Sequence, residues 1–163
     1  MTPSSPQLAA IKSALFLACL IPAFFLWRGF ELDTLGANPI ETVTRSLGEW
    51  TLRFLLITLT VTPLRKYTGW HWLIRLRRML GLFTFAYGLS RLLTYVWLDQ
   101  FFDWEAIAKD IIKRPFITVG FAALMLMLPL AVTSSNFAIR KLGGRRWQSL
   151  HRSIYPIAIL GCV

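Results

Sequence analysis

The sequence has few charged residues and therefore lacks the composition of a soluble domain. Only 16% of its 163 residues are charged, whereas a soluble domain usually carries about 25%. Hydrophobic residues make up 55% of the chain, which is more apolar surface than a water-soluble core of this size can hide. These proportions exclude an ordinary soluble domain and indicate that many side chains face lipid.

Cysteine and the motifs of enzymes are also scarce. The two cysteines, Cys19 and Cys162, lie in apolar runs and have no CxxC partner, so we interpret them as small apolar residues of helices. No CxxCH motif occurs, which excludes covalent attachment of c-type haem. The sequence also lacks a P-loop, a catalytic triad, a paired carboxylate motif and zinc-ligand spacing.

Long apolar runs, in contrast, are plentiful. A membrane-spanning helix needs about 20 mostly apolar residues, and a fifth run from Ser153 to Val163 has only 11. The first run is interpreted as a retained helix, because no convincing signal-peptide cleavage site follows it. We therefore predict an all-α, polytopic transmembrane helix bundle, forming a single domain over residues 1–163 with a truncated fifth span. Its four complete spans are predicted at 11–30, 47–64, 79–98 and 115–139.

The acidic residues lie in only two regions, one from the end of predicted helix one to the start of helix two and the other between helices three and four. They are Glu31, Asp33, Glu41, Glu49, Asp99, Asp103, Glu105 and Asp110. Glu49 and Arg53, at the start of the second predicted helix, have the i,i+4 spacing at which their charges can neutralise each other. The other two connections are purely basic and contain Arg65, Lys66, Arg75, Arg77, Arg78, Arg140, Lys141, Arg145, Arg146 and Arg152. The positive-inside rule places such basic connections, and with them the N-terminus, in the cytoplasm. The same rule accounts for the net charge of +10 without nucleic acid as a partner.

Two polar residues of the spans are candidate functional residues. Arg91 lies about two-thirds of the way along the third predicted helix, where an arginine costs about 2.5–3.5 kcal/mol on insertion scales. It needs a carboxylate or a haem propionate nearby, or it snorkels toward the acidic side. His151 lies where a basic connection meets an apolar helix, either as an axial haem ligand or as a capping or headgroup-contacting residue. His71, between Trp70 and Trp72, is interpreted as part of an interfacial aromatic cluster.

These residues leave three functions open: electron transfer, solute transport and scaffolding of a partner. The signals for transport are weak, because the acidic residues of the spans lie only near helix ends and no matching pair of broken helices occurs.

Five stretches carry a resemblance to a known family: LGANPIE (35–41), LITLTVTPLRKY (56–67), LIRLRRMLGLF (73–83), RPFITVG (114–120) and LGGRRWQSLHRSIY (142–155). From Lys12 to Val163 the chain resembles the MsrQ (YedZ) family, the haem-binding membrane subunits of bacterial methionine-sulfoxide reductase systems, in the ferric-reductase-like transmembrane group. The resemblance implies an inner-membrane subunit that carries electrons from membrane quinone through b-type haem, with FMN as a further cofactor. The acceptor would be a periplasmic, molybdopterin-containing catalytic subunit that repairs oxidised methionine.

The resemblance also implies three haem-ligating histidines, of which this chain keeps one. The family's helix-three histidine corresponds to Arg91, which cannot ligate iron because its guanidinium has no free lone pair. A second corresponds to the position after Val163, and the third is His151, the expected axial ligand. Arg77 and Arg78 are candidate contacts to flavin or propionate. The family continues into a sixth helix, so we interpret the chain as truncated or diverged, and we predict that it binds haem weakly or through one protein ligand.

Two alternatives to this function remain at the level of the sequence. One is a quinone-linked ferric or cytochrome reductase that lacks the methionine-repair partner. The other is a haem-free membrane scaffold or transporter.

Overall fold

The computed structural model describes residues 4–99, 102–103, 105, 107, 112, 115–134, 149–150 and 152–162. This part of the chain is helical and contains no strand. Its principal helices are α1 (Ser5–Glu31), α2 (Pro39–Thr68), α3 (Leu73–Thr94), α4 (Pro115–Val132) and α5 (Ile154–Cys162). A π-helical turn over Tyr95–Asp99 continues α3.

The ends of α2 follow directly from local sequence signals. The side-chain oxygen of Asn38 accepts a hydrogen bond from the backbone N–H of Glu41 at 3.4 Å, and Pro39 occupies the first turn, where its missing N–H costs nothing. Gly69 ends the helix with a left-handed φ of 70°, and its N–H bonds to the carbonyl of Arg65 at 2.9 Å. Glycine adopts this conformation without steric cost.

An antiparallel pair of helices, α2 and α3, forms the centre of the bundle. Small residues line the contact, which lets two backbones approach closely. The two helices run in opposite directions, because residues later in α2 face residues earlier in α3. The facing pairs are Gly48 with Arg91, Thr51 with Gly88, and Thr58 with Gly81. We call the end at which α2 begins and α3 ends the acidic end, and the opposite end the basic end.

Two apolar clusters flank this central pair. The first lies between α1, α2 and α3, where the ring of Phe54 is centred 5.0 Å from that of Tyr87 and 6.3 Å from that of Phe83. The second joins α2 to α4 and α5 around Ile157, which is completely buried. The central pair is thus covered by α1 on one side and by α4 and α5 on the other.

A polar clamp fixes α1 against α3. The Tyr87 hydroxyl donates a hydrogen bond to the carbonyl of Cys19 at 2.7 Å and accepts one from the N–H of Ala23 at 3.1 Å. These two backbone groups are one helical turn apart, beside Pro22, a proline inside α1 that has no N–H for the ladder. A bilayer offers no water to unpaired backbone groups. The hydroxyl therefore stabilises α1 by pairing with two backbone groups next to this proline.

Much of the outer surface of the described helices is apolar. On α1, Leu17 and Phe25 are each 64% exposed, and only 17% of its most apolar stretch is buried. Both α1 and the helical segment Leu73–Leu98 are long and apolar enough to cross a membrane, and Ile117–Val132 is a shorter apolar helix. The all-helical class is confirmed, whereas the number of four complete spans stays a prediction.

The predicted limits of the spans need correction. α2 begins at Pro39 and α3 at Leu73, several residues before the predicted positions, because polar helical turns extend beyond each apolar core. The fourth predicted span reached Ile139, but α4 ends at Val132 and a turn follows at 133–134. The Thr133 N–H and hydroxyl both bond to the carbonyl of Pro129, which closes the helix.

Candidate functional sites at the two ends of the bundle

Arg91 lies in the last α-helical turn of α3, directly before the π-helical turn that continues this helix to Asp99. Its guanidinium lies over Gly48 of α2, so closely that a Cβ added there would overlap Nη1 and stand 2.7 Å from Cζ. Glycine at position 48 is therefore what lets the arginine reach the backbone of the neighbouring helix.

The acidic residue next to Gly48 on α2 is already paired within its own helix. The Glu49 carboxylate lies 3.3 Å from Nη2 of Arg53 and 3.8 Å from Nε of Arg45, which confirms the predicted pairing of Glu49 with Arg53. The guanidinium of Arg53 also lies 4.7 Å from the ring centre of Trp50. Within the described residues Arg91 has no carboxylate within ion-pair distance, so the predicted carboxylate partner is not found there.

The two histidines differ in what the structure shows of them. His71 is exposed at the basic end, and the rings of its neighbours Trp70 and Trp72 stack with centroids 6.0 Å apart and planes inclined by 23°. The two tryptophans of the predicted aromatic cluster are therefore in contact with each other, and the interfacial role of His71 stays a prediction. His151 lies outside the described residues; Tyr155, one turn further on, is described and half-exposed.

A cleft of about 840 Å³ opens at the basic end, between the last three turns of α2 and the first turn of α5. We call it the basic-end cleft. Its lining combines apolar side chains, hydroxyl groups and cations: Leu59, Thr60, Thr62, Pro63, Arg65, Lys66, Gly69, His71 and Tyr155. The sequence did not reveal it, because its walls come from positions almost ninety residues apart.

A smaller cavity of about 400 Å³ lies between α1 and α2 toward the acidic end. It is largely apolar, with one serine hydroxyl and one indole in its wall, and is lined by Ala18, Ile21, Pro22, Phe25, Leu26, Leu35, Ser46 and Trp50. None of the described residues in its lining carries a charge.

Position 91 does not fit a haem iron. A guanidinium stays protonated and offers no lone pair, and here it is packed onto the α2 backbone. The described residues also contain no group of three or more histidine, cysteine, aspartate or glutamate side chains suited to a metal. Of the candidate flavin or propionate contacts, Arg77 is half-buried and Arg78 exposed near the start of α3, and neither lines the basic-end cleft.

A known family of proteins matches most of the chain. The family model of the ferric reductase like transmembrane component matches residues 47–162, a range that begins inside α2 and ends at the last residue of α5. The chain belongs to this family. A multi-helix membrane protein is therefore established, and α1 precedes the matched region.

Curated relatives narrow the family further. The chain is similar to the protein-methionine-sulfoxide reductase heme-binding subunit MsrQ of Azospira oryzae, with 66% identity over 161 residues, which is 99% of this chain and 69% of the relative. Relatives of the same name from Herminiimonas arsenicoxydans and Rhodospirillum rubrum are 57% and 56% identical, over 98% and 92% of this chain and 73% and 72% of their own lengths. These matches confirm the resemblance to the MsrQ family. No solved structure matches the chain.

The site residues that sequence reasoning missed are Gly48 and Thr62. A glycine inside a helix does not reveal which side chain of another helix approaches it, so only the pairing of α2 with α3 identifies Gly48. Thr62 is one of seven threonines in α2, and nothing in its sequence neighbourhood sets it apart from the others.

Proposed function

We propose that the chain is a haem-binding, electron-transferring membrane subunit of a methionine-sulfoxide reductase system. The observation that carries this proposal is the identity of 66% along nearly the whole chain to a relative named as the haem-binding subunit. The helical bundle with an apolar outer surface supports it, because such a subunit must place its carrier within the membrane.

The finer proposal is an electron path across the bacterial inner membrane. Electrons would leave membrane quinone, pass through b-type haem with FMN as a second carrier, and reach a periplasmic, molybdopterin-containing catalytic subunit. The chain itself would not be catalytic. The separation of charge supports this direction, since positively charged ends favour the cytoplasm and the acidic end would then face the periplasmic partner.

Haem binding by this chain would depend on His151, because position 91 holds arginine. A bound haem supplies one-electron chemistry whose potential depends on its axial ligands and surroundings. Arg91 would contribute a fixed positive charge beside Gly48, which favours a nearby anion. A haem-free membrane scaffold is the second candidate function, and the arginine at position 91 is the observation that favours it.

The experiment that tests haem binding compares the two histidines. The chain, its His151→Ala variant and its His71→Ala variant are expressed in bacterial membranes and purified in detergent. Reduced-minus-oxidised absorption spectra should show a b-type signal that is lost in His151→Ala and kept in His71→Ala. A signal unchanged by His151→Ala would contradict the assignment, and no signal in any of the three proteins would favour the haem-free scaffold.

The partner is tested separately, because a quinone-linked reductase without that partner would give the same spectra. The chain is co-expressed with the periplasmic methionine-sulfoxide reductase encoded by the same bacterium, and the complex is purified through a tag on the chain. Co-purification, and haem reoxidation by that partner in the presence of methionine sulfoxide, are expected. Reoxidation by ferric chelates alone would favour the ferric or cytochrome reductase instead.

A further inference from the structure

The basic-end cleft lies in a stretch of the chain that has no negative charge. Residues 50–98, which include most of α2 and all of α3, contain no aspartate or glutamate. Two cations of this stretch, Arg65 and Lys66, line the cleft together with His71. A cavity with cations in its wall and no carboxylate in its lining attracts an anion.

One hydroxyl in the cleft wall lacks the partner that its counterparts have. Each of the eight other threonines in α2 and α3 donates to the carbonyl four residues before it. The hydroxyl oxygen of Thr62, in contrast, is buried and has no hydrogen-bond partner among the described residues. An unpaired buried hydroxyl is unfavourable, and a ligand at the cleft wall, reached by rotation about the Thr62 χ1 angle, would relieve it.

The apolar part of the cleft indicates that the anion has an apolar body. Leu59 and Pro63 line the cleft and precede the cations along α2, and Pro63 interrupts the hydrogen-bond ladder of α2 there. Beyond Tyr155, the next turn of α5 presents Ile159, which is 68% exposed. An amphiphile in this cleft would place its charged group against the cations and its chain along these side chains.

We propose that the basic-end cleft binds one anionic phospholipid, with the phosphate held by Arg65 and Lys66 and an acyl chain against Leu59 and Pro63. A lipid fits better than a soluble phosphate compound, because the cleft opens between helices whose outer surface is apolar. The proposal does not depend on haem or on the electron path.

Native mass spectrometry of the full chain in detergent tests the proposal. Phosphatidylglycerol and phosphatidylcholine with identical acyl chains are added, and retained lipid is counted. One phosphatidylglycerol should be retained, with about tenfold preference over phosphatidylcholine, as expected for charge-assisted contacts. The double variant Arg65→Gln/Lys66→Gln should lose this preference, and Thr62→Val should weaken binding about threefold, as expected for one neutral hydrogen bond.

A matched control separates the cleft from the general charge of the basic end. Lys12→Gln/Arg75→Gln also removes one lysine and one arginine from that end, but neither residue lines the cleft. This variant should keep the preference, and circular dichroism should show that both double variants keep their helix content. Equal loss in the two double variants, or no preference in the unmodified chain, would overturn the proposal. The proposal would also be overturned if FMN bound the cleft of the chain in phosphatidylcholine and each bound FMN displaced one phosphatidylglycerol.

Discussion

The charged side chains at the two ends of the α2–α3 pair have different surroundings. At the acidic end, Glu49 is paired with two arginines of its own helix and Arg91 is packed against Gly48. At the basic end, the cations have no acidic residue in their stretch of sequence, and the helices open into a cleft. Contacts within the protein therefore hold the charged side chains of one end, whereas the other end keeps unbalanced charge beside a larger cavity, the two requirements of a binding site.

Toward the acidic end of the bundle, added side-chain volume should lower stability most at Gly88. A Cβ there would stand 3.2 Å from Cδ1 of Leu124 and 3.4 Å from Cγ2 of Thr51, so Gly88→Val inserts atoms between three helices. We expect a loss of about 2–3 kcal/mol in the free energy of unfolding, as is usual for overpacking. Gly120→Val is the control, since a Cβ at this exposed residue meets nothing within 4 Å. Denaturant unfolding in detergent measures both, and equal losses would contradict close packing at this crossing.

The contact between Gly48 and Arg91 can be measured by a double-mutant cycle. In the unmodified chain, Gly48→Ala must displace the guanidinium, so we expect no gain in stability or a loss of up to about 1 kcal/mol. With Arg91→Ala already present, the same change should stabilise the chain by up to about 1 kcal/mol, because alanine has the higher helix propensity. Additive effects of the two substitutions would show that the residues do not interact.

At the basic end, the loss of a hydroxyl should have the smallest effect on the stability of the chain. Thr58 donates to the carbonyl of Phe54 at 2.7 Å in a buried position, whereas the Thr62 hydroxyl has no partner in the described part of the chain. In detergent without anionic lipid, Thr58→Val should cost about 1 kcal/mol, and Thr62→Val should leave the stability within about 0.5 kcal/mol. Thermal unfolding of the two variants measures the difference. A larger loss at Thr62 would mean that its hydroxyl already has a partner.

Sequence reasoning predicted the parts of this molecule that depend on local order. Apolar runs located the helix cores, and the spacing of Glu49 and Arg53 predicted an ion pair that forms. The helix limits were missed because polar turns prolong the helices past their apolar cores, as at the start of α2. In addition, the uncharged stretch 115–139 contains the polar residues TSSN (133–136), directly before which α4 ends. The orientation in the membrane and the role of His151 stay predictions.

The candidate sites were less accessible to such reasoning, because they depend on contacts between distant segments. The sequence shows that Arg91 is an unusual residue within a predicted membrane-spanning helix. Its neighbour Gly48, however, becomes apparent only when α2 and α3 are paired. The basic-end cleft likewise needs Tyr155 beside the last turns of α2. Residue chemistry thus indicated where a charge was unusual, and only the fold showed what lies next to it.

The clamp made by Tyr87 has a consequence for the order in which the chain is assembled. α1 emerges from the ribosome first, yet the hydroxyl that bonds to its Cys19 carbonyl and Ala23 N–H belongs to α3. Until α3 has entered the membrane, the turn of α1 next to Pro22 lacks this support. This turn therefore gains its interhelical hydrogen bonds only after the third helix is in place, from a tyrosine that is synthesised 64 residues after Ala23.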